Sequence, residues 1–284
     1  MKILKKYLIN LSHERMSTPL KKSLNDYLKL IEREMARIES YQTVPLFYDP
    51  IYYMLDLKGK RIRPLLTLLS AMIFKVKAED AKYAAAAVEL LHNFTLVHDD
   101  IMDKDATRRG KPTIHKKWDL GTAILAGDGL MGLAFRKLLQ SPQGDIAAMM
   151  RRFTETMIII CEGQGLDKMF EEKEFVTLDA YLDMIARKTA VLIELACELG
   201  GMVASADATS VQLLREYGYA LGLGFQIQDD YLDIAADESV LGKKVGSDLQ
   251  MRKKTIITIM LRELTGNSDF FEMALPDFKK LLEA

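Results

Sequence analysis

The sequence predicts an all-α fold, and three observations support this prediction. Residues that favour helices are abundant, and only 7 of the 284 residues are proline. No series of alternating β-branched strands bounded by tight turns occurs along the chain. Hydrophobic residues make up 49% of the sequence, enough to bury a sizeable core. We therefore expect a globular bundle of helices.

Helical patterns follow one another along most of the chain. Within 20–40, apolar residues recur at helical spacing from Leu24 to Ile38, and the segment TVPLFYDP then interrupts the pattern. Pro64 is expected in the first turn of the next helix. Asp80 is expected to cap a helix that continues through residue 103. Further helices are predicted over 122–140, 146–170, 178–204 and 208–235.

Composition limits the class of protein. No linker rich in Gly, Ser or Pro divides the helices, so one domain spanning 1–284 is expected. Lys and Arg (39) nearly balance Asp and Glu (40), which argues against binding nucleic acid through bulk positive charge. Cys161 and Cys197 lack paired spacing and are expected to be free core residues in a reducing compartment. No apolar run approaches the ~20 residues of a membrane span. A cytoplasmic protein is predicted.

The same acidic pattern occurs twice. DDIMD at 99–103 and DDYLD at 229–233 each follow an apolar helical stretch. On a helix the first and last Asp of a motif share a face, so one turn presents several carboxylate oxygens. Such oxygens suit Mg²⁺, which takes one or two carboxylates and completes its shell with water and substrate phosphates. One motif alone is also compatible with a solvated acidic helix face, but the second copy favours a cavity. The candidate metal ligands are Asp99, Asp100, Asp103, Asp229, Asp230 and Asp233.

Three basic segments alternate with these motifs. They are KGKRIRP at 58–64, RRG at 108–110 and GKKVGSDLQMRKKT at 242–255. Acidic motifs that hold magnesium imply a polyanionic ligand, and Arg or Lys suits direct contact with a diphosphate. Each segment taken alone is equally an exposed basic loop, and KGKRIRP is also a candidate nucleic-acid patch. Alternation with two acidic motifs favours a phosphate pocket.

With these motifs the chain resembles the trans-type isoprenyl diphosphate synthases, the polyprenyl synthetase family. The resemblance runs from about Tyr48 to Thr255. KGKRIRP resembles the family's Gly-Gly-Lys-Arg-x-Arg-Pro, DDIMD with RRG its first Asp-rich motif, and FQIQDDYLD its second. EGQGLD, RKTAVL and GKKVGSD also fall in the family's order. The resemblance implies a helical bundle around a deep central cavity, usually a homodimer, that joins isopentenyl diphosphate to an allylic diphosphate such as dimethylallyl, geranyl or farnesyl diphosphate.

The family's functional residues carry over by position. Three Mg²⁺ ions are expected, with Asp99, Asp103 and Asp229 as principal ligands and Asp100, Asp230 and Asp233 ligating or supporting through water. The expected contacts to the allylic diphosphate come from Arg108, Lys188, Lys244 and Lys253. Isopentenyl diphosphate is expected to meet Lys60, Arg63, His92 and Arg109. The expected catalytic groups, which offer dipoles to an allylic cation, are Lys188, Thr189 and Gln226, with Gln164 and Asp167 as nearby polar support.

The resemblance also bears on product length. A bulky residue five positions before the first motif floors the family's cavity, and here that residue is Phe94. Thr95, the next residue, is small, which favours a twenty-carbon product over a fifteen-carbon one. Phe94 is otherwise ordinary core packing, and His92 is otherwise a core histidine.

Some features depart from the family or leave other classes open. Lys58 replaces a glycine of the basic loop, Arg252 stands where Gly often precedes Lys253, and only 31 residues follow Lys253, so a shortened C-terminal end is expected. A class I terpene cyclase, a non-catalytic partner subunit and a helical scaffold with acidic patches are the alternatives. The cyclase typically has a different second metal motif, the partner subunit tends to lose an Asp motif, and the scaffold does not need the basic residues.

Overall fold

The fold of the computed structural model is all-α, as predicted. The structure describes residues 18–38, 44–57, 59–235, 246–266 and 268–283. Its α-helices, named here in chain order, are α1 (Thr18–Ala36), α2 (Pro45–Asp56), α3 (Ile62–Ile73), α4 (Ala78–Met102), α5 (Ile114–Lys117), α6 (Leu120–Leu138), α7 (Ile146–Glu171), α8 (Leu178–Ile185), α9 (Val191–Val203), α10 (Ala208–Ala235), α11 (Ser247–Gln250), α12 (Ile256–Thr265) and α13 (Leu275–Glu283). A π-helical turn, Ala186–Ala190, joins α8 to α9, and a short 3-10 helix spans Asp269–Glu272.

The helix α4 carries the first acidic motif and begins earlier than predicted. Lys77 is the N-cap residue, and Asp80 lies in the first turn with Glu79, so the expected cap at Asp80 was wrong. A carboxylate in the first turn still stabilises the helix through its dipole. The helix ends at Met102, and Asp103 is its C-cap residue. The last acid of the motif therefore lies where the backbone leaves the helix.

The helix α2 was not predicted, because TVPLFYDP was interpreted as a break. Pro45 begins the helix, a position where the missing N–H of proline removes no intrahelical bond. Pro50 lies inside it and is buried. Two prolines in six residues therefore hid a helix of twelve residues that packs against α6.

The core lies between α4 and its neighbours. Every residue from Ala84 to Leu91 is buried, and α4 packs against α3, α6 and α9. Almost all of α9 is buried as well, including Cys197, whereas Cys161 on α7 is exposed. The prediction that both cysteines are core residues was therefore wrong for Cys161. Both are free thiols.

Two local features position side chains near the end of α4. Thr107 and Arg108 pair with Pro112 and Lys111 in a short antiparallel hairpin. Gly110, at its tip, has a φ of 74°, a conformation that glycine adopts without strain. The hairpin returns the chain beside the first acidic motif. No helix in the described part of the chain is long and apolar enough to cross a membrane.

Candidate active site

A cavity of about 1250 Å³ lies at the end of the bundle where both acidic motifs arrive. The residues that line it come from the C-terminal end of α4, the hairpin, α7, α8, the π-helical turn, α10 and the segment 248–255. The predicted site residues among them are Asp103, Arg108, Arg109, Asp167, Lys188, Thr189, Gln226, Asp229, Asp230 and Lys253. The structure thus brings residues that are far apart in sequence to one cavity.

The first acidic motif divides between the cavity and the protein interior. Asp103 lines the cavity, where its Oδ2 lies 3.5 Å from Lys253 Nζ. Asp100 is buried, and its Oδ1 accepts a hydrogen bond from Arg108 Nε at 2.7 Å. Burial raises the pKa of Asp100 to about 6, although the Arg108 guanidinium opposes the shift. Burial also raises the pKa of Asp99, opposed by Lys188. Asp100 therefore holds Arg108 in place beside the cavity.

The second motif is divided in the same way. Asp229 and Asp230 line the cavity, whereas Asp233 is fully buried. Asp233 Oδ2 accepts from the backbone N–H of Asp248 at 3.1 Å, and its carbonyl accepts from the N–H of Gly246 at 2.7 Å. Asp233 therefore fastens the start of α11 to α10. Burial raises the pKa of Asp230, and hydrogen bonds from Tyr181 and Gln226 oppose this.

Lysines face these carboxylates from two directions. Lys188 Nζ donates to Asp167 Oδ2 at 2.6 Å, and both residues line the cavity. Burial lowers the pKa of Lys253, but Asp103, Asp167 and Asp248 outweigh it, so the pKa is raised overall. Lys188 is thus hydrogen-bonded to Asp167, and Lys253 keeps its charge beside Asp103. Lys244, the remaining predicted diphosphate contact, lies outside the described residues.

The π-helical turn presents Lys188 and Thr189 to the cavity. Thr189 Oγ1 donates to Gln226 Oε1 at 2.9 Å. The turn touches α7 at Gly163, where an added Cβ would lie 2.3 Å from the backbone nitrogen of Lys188. A glycine is required there because any side chain would overlap the backbone. Single π turns inside helices often mark functional sites.

The basic loop before α3 separates into structural and accessible side chains. Arg61 is buried, and its Nη1 lies 2.7 Å from Glu89 Oε1 on α4. Its Nη2 donates to the carbonyls of Leu55 and Leu57. Lys60 is exposed, as a side chain that meets a ligand from solvent needs to be. Arg61, a member of the basic segment KGKRIRP but not one of the predicted diphosphate contacts, is therefore part of the fold.

Arg63, His92 and Arg109 lie beside this buried pair. Arg63 Nη1 is 3.2 Å from His92 Nε2, and Arg109 Nη1 donates to the Leu57 carbonyl at 2.9 Å. Burial, and then Arg63 and Arg109, hold the pKa of His92 well below its ordinary value, so the ring is neutral. Because a guanidinium only donates, Nε2 accepts and the ring proton is on Nδ1. Of these three residues, Arg109 lines the cavity.

The remaining predicted residues lie deeper. Gln164 Nε2 is 3.8 Å from Met102 Sδ, and its Oε1 is buried with no hydrogen-bond partner among the described residues. Phe94 is 7% exposed, and its ring meets that of His98 edge to face at 4.8 Å. Thr95 Oγ1 donates to the His92 carbonyl at 2.8 Å. None of these three residues lines the cavity.

The donor set of the cavity fits a divalent ion that needs further ligands. Asp103 and Asp229 supply carboxylate oxygens, which suit Mg²⁺. Within the described ranges, no group of three or more His, Cys, Asp or Glu side chains is arranged to hold an ion. A magnesium ion bound by one or two carboxylates, with phosphate oxygens and water as its other ligands, is compatible with this arrangement.

Two acidic motifs and facing lysines around one cavity of a helical bundle define an enzyme that handles diphosphates. The Polyprenyl synthetase family model matches residues 44–275. Geranylgeranyl diphosphate synthase of Sulfolobus acidocaldarius is 46% identical over 233 residues, which cover 80% of this chain and 71% of that protein. Its namesake from Methanosarcina mazei is 43% identical over 226 residues, covering 79% and 70%. The crystal structure of geranylgeranyl pyrophosphate synthetase from Pyrococcus horikoshii superimposes with a TM-score of 0.85 at 36% identity, covering 93% of this chain and 82% of that one. The chain therefore belongs to the polyprenyl synthetase family, as an isoprenyl diphosphate synthase.

The sequence did not indicate every residue of the site. Tyr181, Met184 and Ile185 line the cavity but belong to none of the predicted motifs. Tyr181 lies seven residues before Lys188, two helical turns away, which is the one signal in the sequence that places it on the same face. Its partner Asp230 is 49 residues away and is revealed by packing alone.

Proposed function

We propose that this enzyme condenses isopentenyl diphosphate with an allylic diphosphate to give a short-chain all-trans prenyl diphosphate, with the twenty-carbon geranylgeranyl product favoured. The arrangement of Asp103 and Asp229 with Lys188 and Lys253 on one cavity supports this most directly. A volume of about 1250 Å³ offers room for two diphosphates and a growing chain.

In the proposed reaction the allylic diphosphate lies against Arg108, Lys188 and Lys253, together with Lys244. Arg108 uses its Nε for Asp100, and its Nη2 lies 3.9 Å from Asp105 Oδ2, too far for a hydrogen bond, so the terminal nitrogens can still donate to phosphate oxygens. Asp103 and Asp229 would hold magnesium, for which three ions are proposed, and the metal would supply positive charge to the departing diphosphate. The ammonium groups of Lys188 and Lys253 also stabilise negative charge on the diphosphate as the C–O bond ionises, and they are already in place before the reaction.

The second substrate is proposed to meet Lys60, Arg63, His92 and Arg109, of which Arg63 and His92 lie 3.2 Å apart and Arg109 lines the cavity. Arg109 is held to the Leu57 carbonyl, so its position does not depend on the substrate. The guanidinium groups bind the diphosphate of this substrate, and this places its double bond near the cation. The addition then becomes effectively unimolecular. The released diphosphate is the proposed acceptor of the proton lost from the adduct.

The cation itself is proposed to lie beside Thr189 and Gln226, with the carbonyl of Lys188. These groups line the cavity and carry no formal charge. Their oxygen dipoles stabilise an allylic cation without adding a nucleophile that would trap it. Asp167 and Gln164 are proposed to support this wall, Asp167 through its bond to Lys188.

The test uses the purified enzyme with labelled isopentenyl diphosphate, Mg²⁺ and each allylic primer in turn. We expect elongation to a twenty-carbon product. Asp99→Ala and Asp229→Ala are expected to abolish turnover while the helical circular dichroism is retained, and Asp26→Ala, at an exposed position on α1, serves as the control. Cyclised hydrocarbons as the main product, or elongation only after adding a second subunit, would replace the proposal with a cyclase or a partner subunit.

We also infer that the enzyme works as a homodimer in the cytoplasm. Several apolar side chains from α2, its N-cap residue and α6 are more than 40% exposed: Val44, Leu46, Leu120, Ile124 and Leu125. Because α2 packs on α6, these side chains belong to neighbouring elements. Apolar exposure of this extent is typical of an interface. Light scattering with size-exclusion chromatography tests the dimer, and a monomer at micromolar concentration would contradict it.

A further inference from the structure

A chain of hydrogen bonds runs from Tyr181 to Thr189 along the wall of the cavity. Tyr181 Oη donates to Asp230 Oδ2 at 2.6 Å. Gln226 Nε2 donates to Asp230 Oδ1 at 2.9 Å. Thr189 Oγ1 donates to Gln226 Oε1 at 2.9 Å. All four residues line the cavity, although Tyr181 and Asp230 are almost fully buried. We call these four side chains the relay.

The chemistry of Asp230 sets the direction of every bond in the relay. A carboxylate accepts hydrogen bonds and donates none, so Gln226 must turn its NH₂ group toward Asp230. The Gln226 carbonyl oxygen then faces Thr189, and the Thr189 hydroxyl donates its single hydrogen to it. The lone pairs of Thr189 Oγ1 are consequently left for the cavity.

Two donors hold the other oxygen of Asp230. Besides Tyr181 Oη at 2.6 Å, the backbone N–H of Ile256 donates to Oδ2 at 3.3 Å. The Ile256 bond is long and therefore weaker. Tyr181 is thus the main restraint on rotation of the carboxylate. It lies on α8, directly before the turn that carries Thr189, and so ties that turn to α10.

We propose that Tyr181 and Asp230 are positioning residues that fix the polarity of Thr189, turning its oxygen lone pairs rather than its hydrogen toward the reacting carbon. The inference rests on the proposed function, in which an allylic cation forms beside Thr189. Lone pairs stabilise a neighbouring cation, whereas an O–H dipole pointing at it would raise the barrier.

The variant Asp230→Asn inverts the relay with little change of shape. The two donors, Tyr181 and Ile256, require the amide oxygen on their side, so the Asn NH₂ group faces Gln226. Gln226 must then present its oxygen to residue 230 and its NH₂ group to Thr189, whose hydroxyl hydrogen turns into the cavity. We expect kcat to fall about 100-fold, in the range measured when one oriented dipole is removed from an active site. The KM for each substrate is expected to stay within about twofold, because ground-state binding contacts are unchanged.

The variant Tyr181→Phe loosens the relay instead of inverting it, so a loss of about 10-fold in kcat is expected, within the range for losing one oriented hydrogen bond. Tyr219→Phe is the matched control, since Tyr219 is on α10 but 41% exposed. Tyr181→Phe and Asp230→Asn are each also made in the Thr189→Val variant. If the relay acts through Thr189, neither Tyr181→Phe nor Asp230→Asn lowers the kcat of the Thr189→Val variant further. In the Thr189→Ser variant, which keeps the hydroxyl, both changes are expected to lower kcat again.

Two results would overturn the proposal. One is an equal loss from Asp230→Asn with and without the Thr189 hydroxyl, which would show that Asp230 acts by another route. The other is a raised Mg²⁺ concentration for half-maximal rate in Asp230→Asn, which would identify Asp230 as a metal ligand. An unchanged magnesium requirement with a lowered kcat supports the relay.

A measurement that does not depend on catalysis tests the hydrogen bonds of the relay separately from the proposed function. The side-chain amide signal of Gln226, assigned by its loss in Gln226→Leu, reports the hydrogen bond to Asp230 in ¹H–¹⁵N spectra. We expect Tyr181→Phe and Asp230→Asn to move this signal, and Tyr219→Phe to leave it in place. An unmoved signal contradicts the relay even if the enzyme is active. Failure of the wild type to elongate any primer contradicts the proposed function whatever the signal does.

Discussion

Replacing Arg61 with methionine is expected to destabilise the fold by about 3–5 kcal/mol, the usual cost of breaking a buried ion pair. The Arg61 and Glu89 side chains are each 3% exposed, and the bond between them is 2.7 Å long. Without the guanidinium, the buried Glu89 carboxylate on α4 loses the cation that is hydrogen-bonded to it and keeps only the longer-range attraction of Arg63 and Arg109. The carbonyls of Leu55 and Leu57 at the end of α2 also lose a donor.

Urea unfolding followed by circular dichroism measures this effect. The expected loss corresponds to roughly 6–20 °C in the melting temperature. The double variant Arg61→Met, Glu89→Leu removes both charges, and we expect it to be substantially more stable than Arg61→Met alone, because replacing a whole buried pair by apolar residues is often close to neutral.

Two outcomes would refute this reasoning. Arg61→Met within about 1 kcal/mol of the wild type would mean that Glu89 finds another partner or is neutral. A double variant as unstable as the single one would mean that the carbonyls of α2, and not the ion pair, carry the cost. In either case Arg61 would not be the anchor of the basic loop.

Three further predictions concern other parts of the molecule. Gly163→Ala is expected to cost about 1–3 kcal/mol and most of the turnover, because the new Cβ would lie 2.3 Å from a backbone nitrogen of the π-helical turn; Gly165→Ala, with nothing within 4 Å, is the control, and denaturation with product assays gives the answer. Burial raises the pKa of Cys197 to about 11 from its ordinary 9.0, so mass spectrometry should find a thiol reagent at pH 8 on Cys161 first and on Cys197 only as the chain unfolds. Because the unfolded thiol ionises at the lower pH, the free energy of unfolding is expected to fall as the pH rises from about 9 to about 11, by about 3 kcal/mol in all. Phe94 is buried outside the cavity lining, and Phe94→Ala is expected to destabilise the core by about 3–5 kcal/mol. From the family position we also expect a longer product, and chromatography showing an unchanged product would mean that Phe94 does not limit product length.

Much of the helical fold was predictable because periodicity reports which residues of a helix share a face. The two Asp-rich motifs also indicated one cavity, and Asp103 and Asp229 do meet there. The helix α2 was missed because its two prolines, which begin and interrupt it, are also typical of turns. Proline alone does not distinguish these cases, since tertiary packing decides between them.

The sequence did not show which carboxylates of each motif face the cavity and which are buried. Asp100 and Asp233 look identical to Asp103 and Asp229 in sequence, yet they are buried and bonded to Arg108 and to backbone N–H groups. Which carboxylate faces the cavity depends on how α4 and α10 are rotated against their neighbours. The sequence also does not show that Arg61 of KGKRIRP is buried, because its partner Glu89 lies on another helix.

The π-helical turn between α8 and α9 sets which faces of these two helices point toward the cavity and toward the core. Residues on α8 must place Tyr181 and Met184 at the cavity, whereas α9 must bury nearly its whole surface. In a continuous α-helix each residue turns the chain by about 100°. The π-helical turn holds one extra residue, so it rotates the faces of α9 by about 100° relative to those of α8. Deleting Ala186 would therefore turn the side chains of α8 away from the cavity while every residue that lines the cavity is retained.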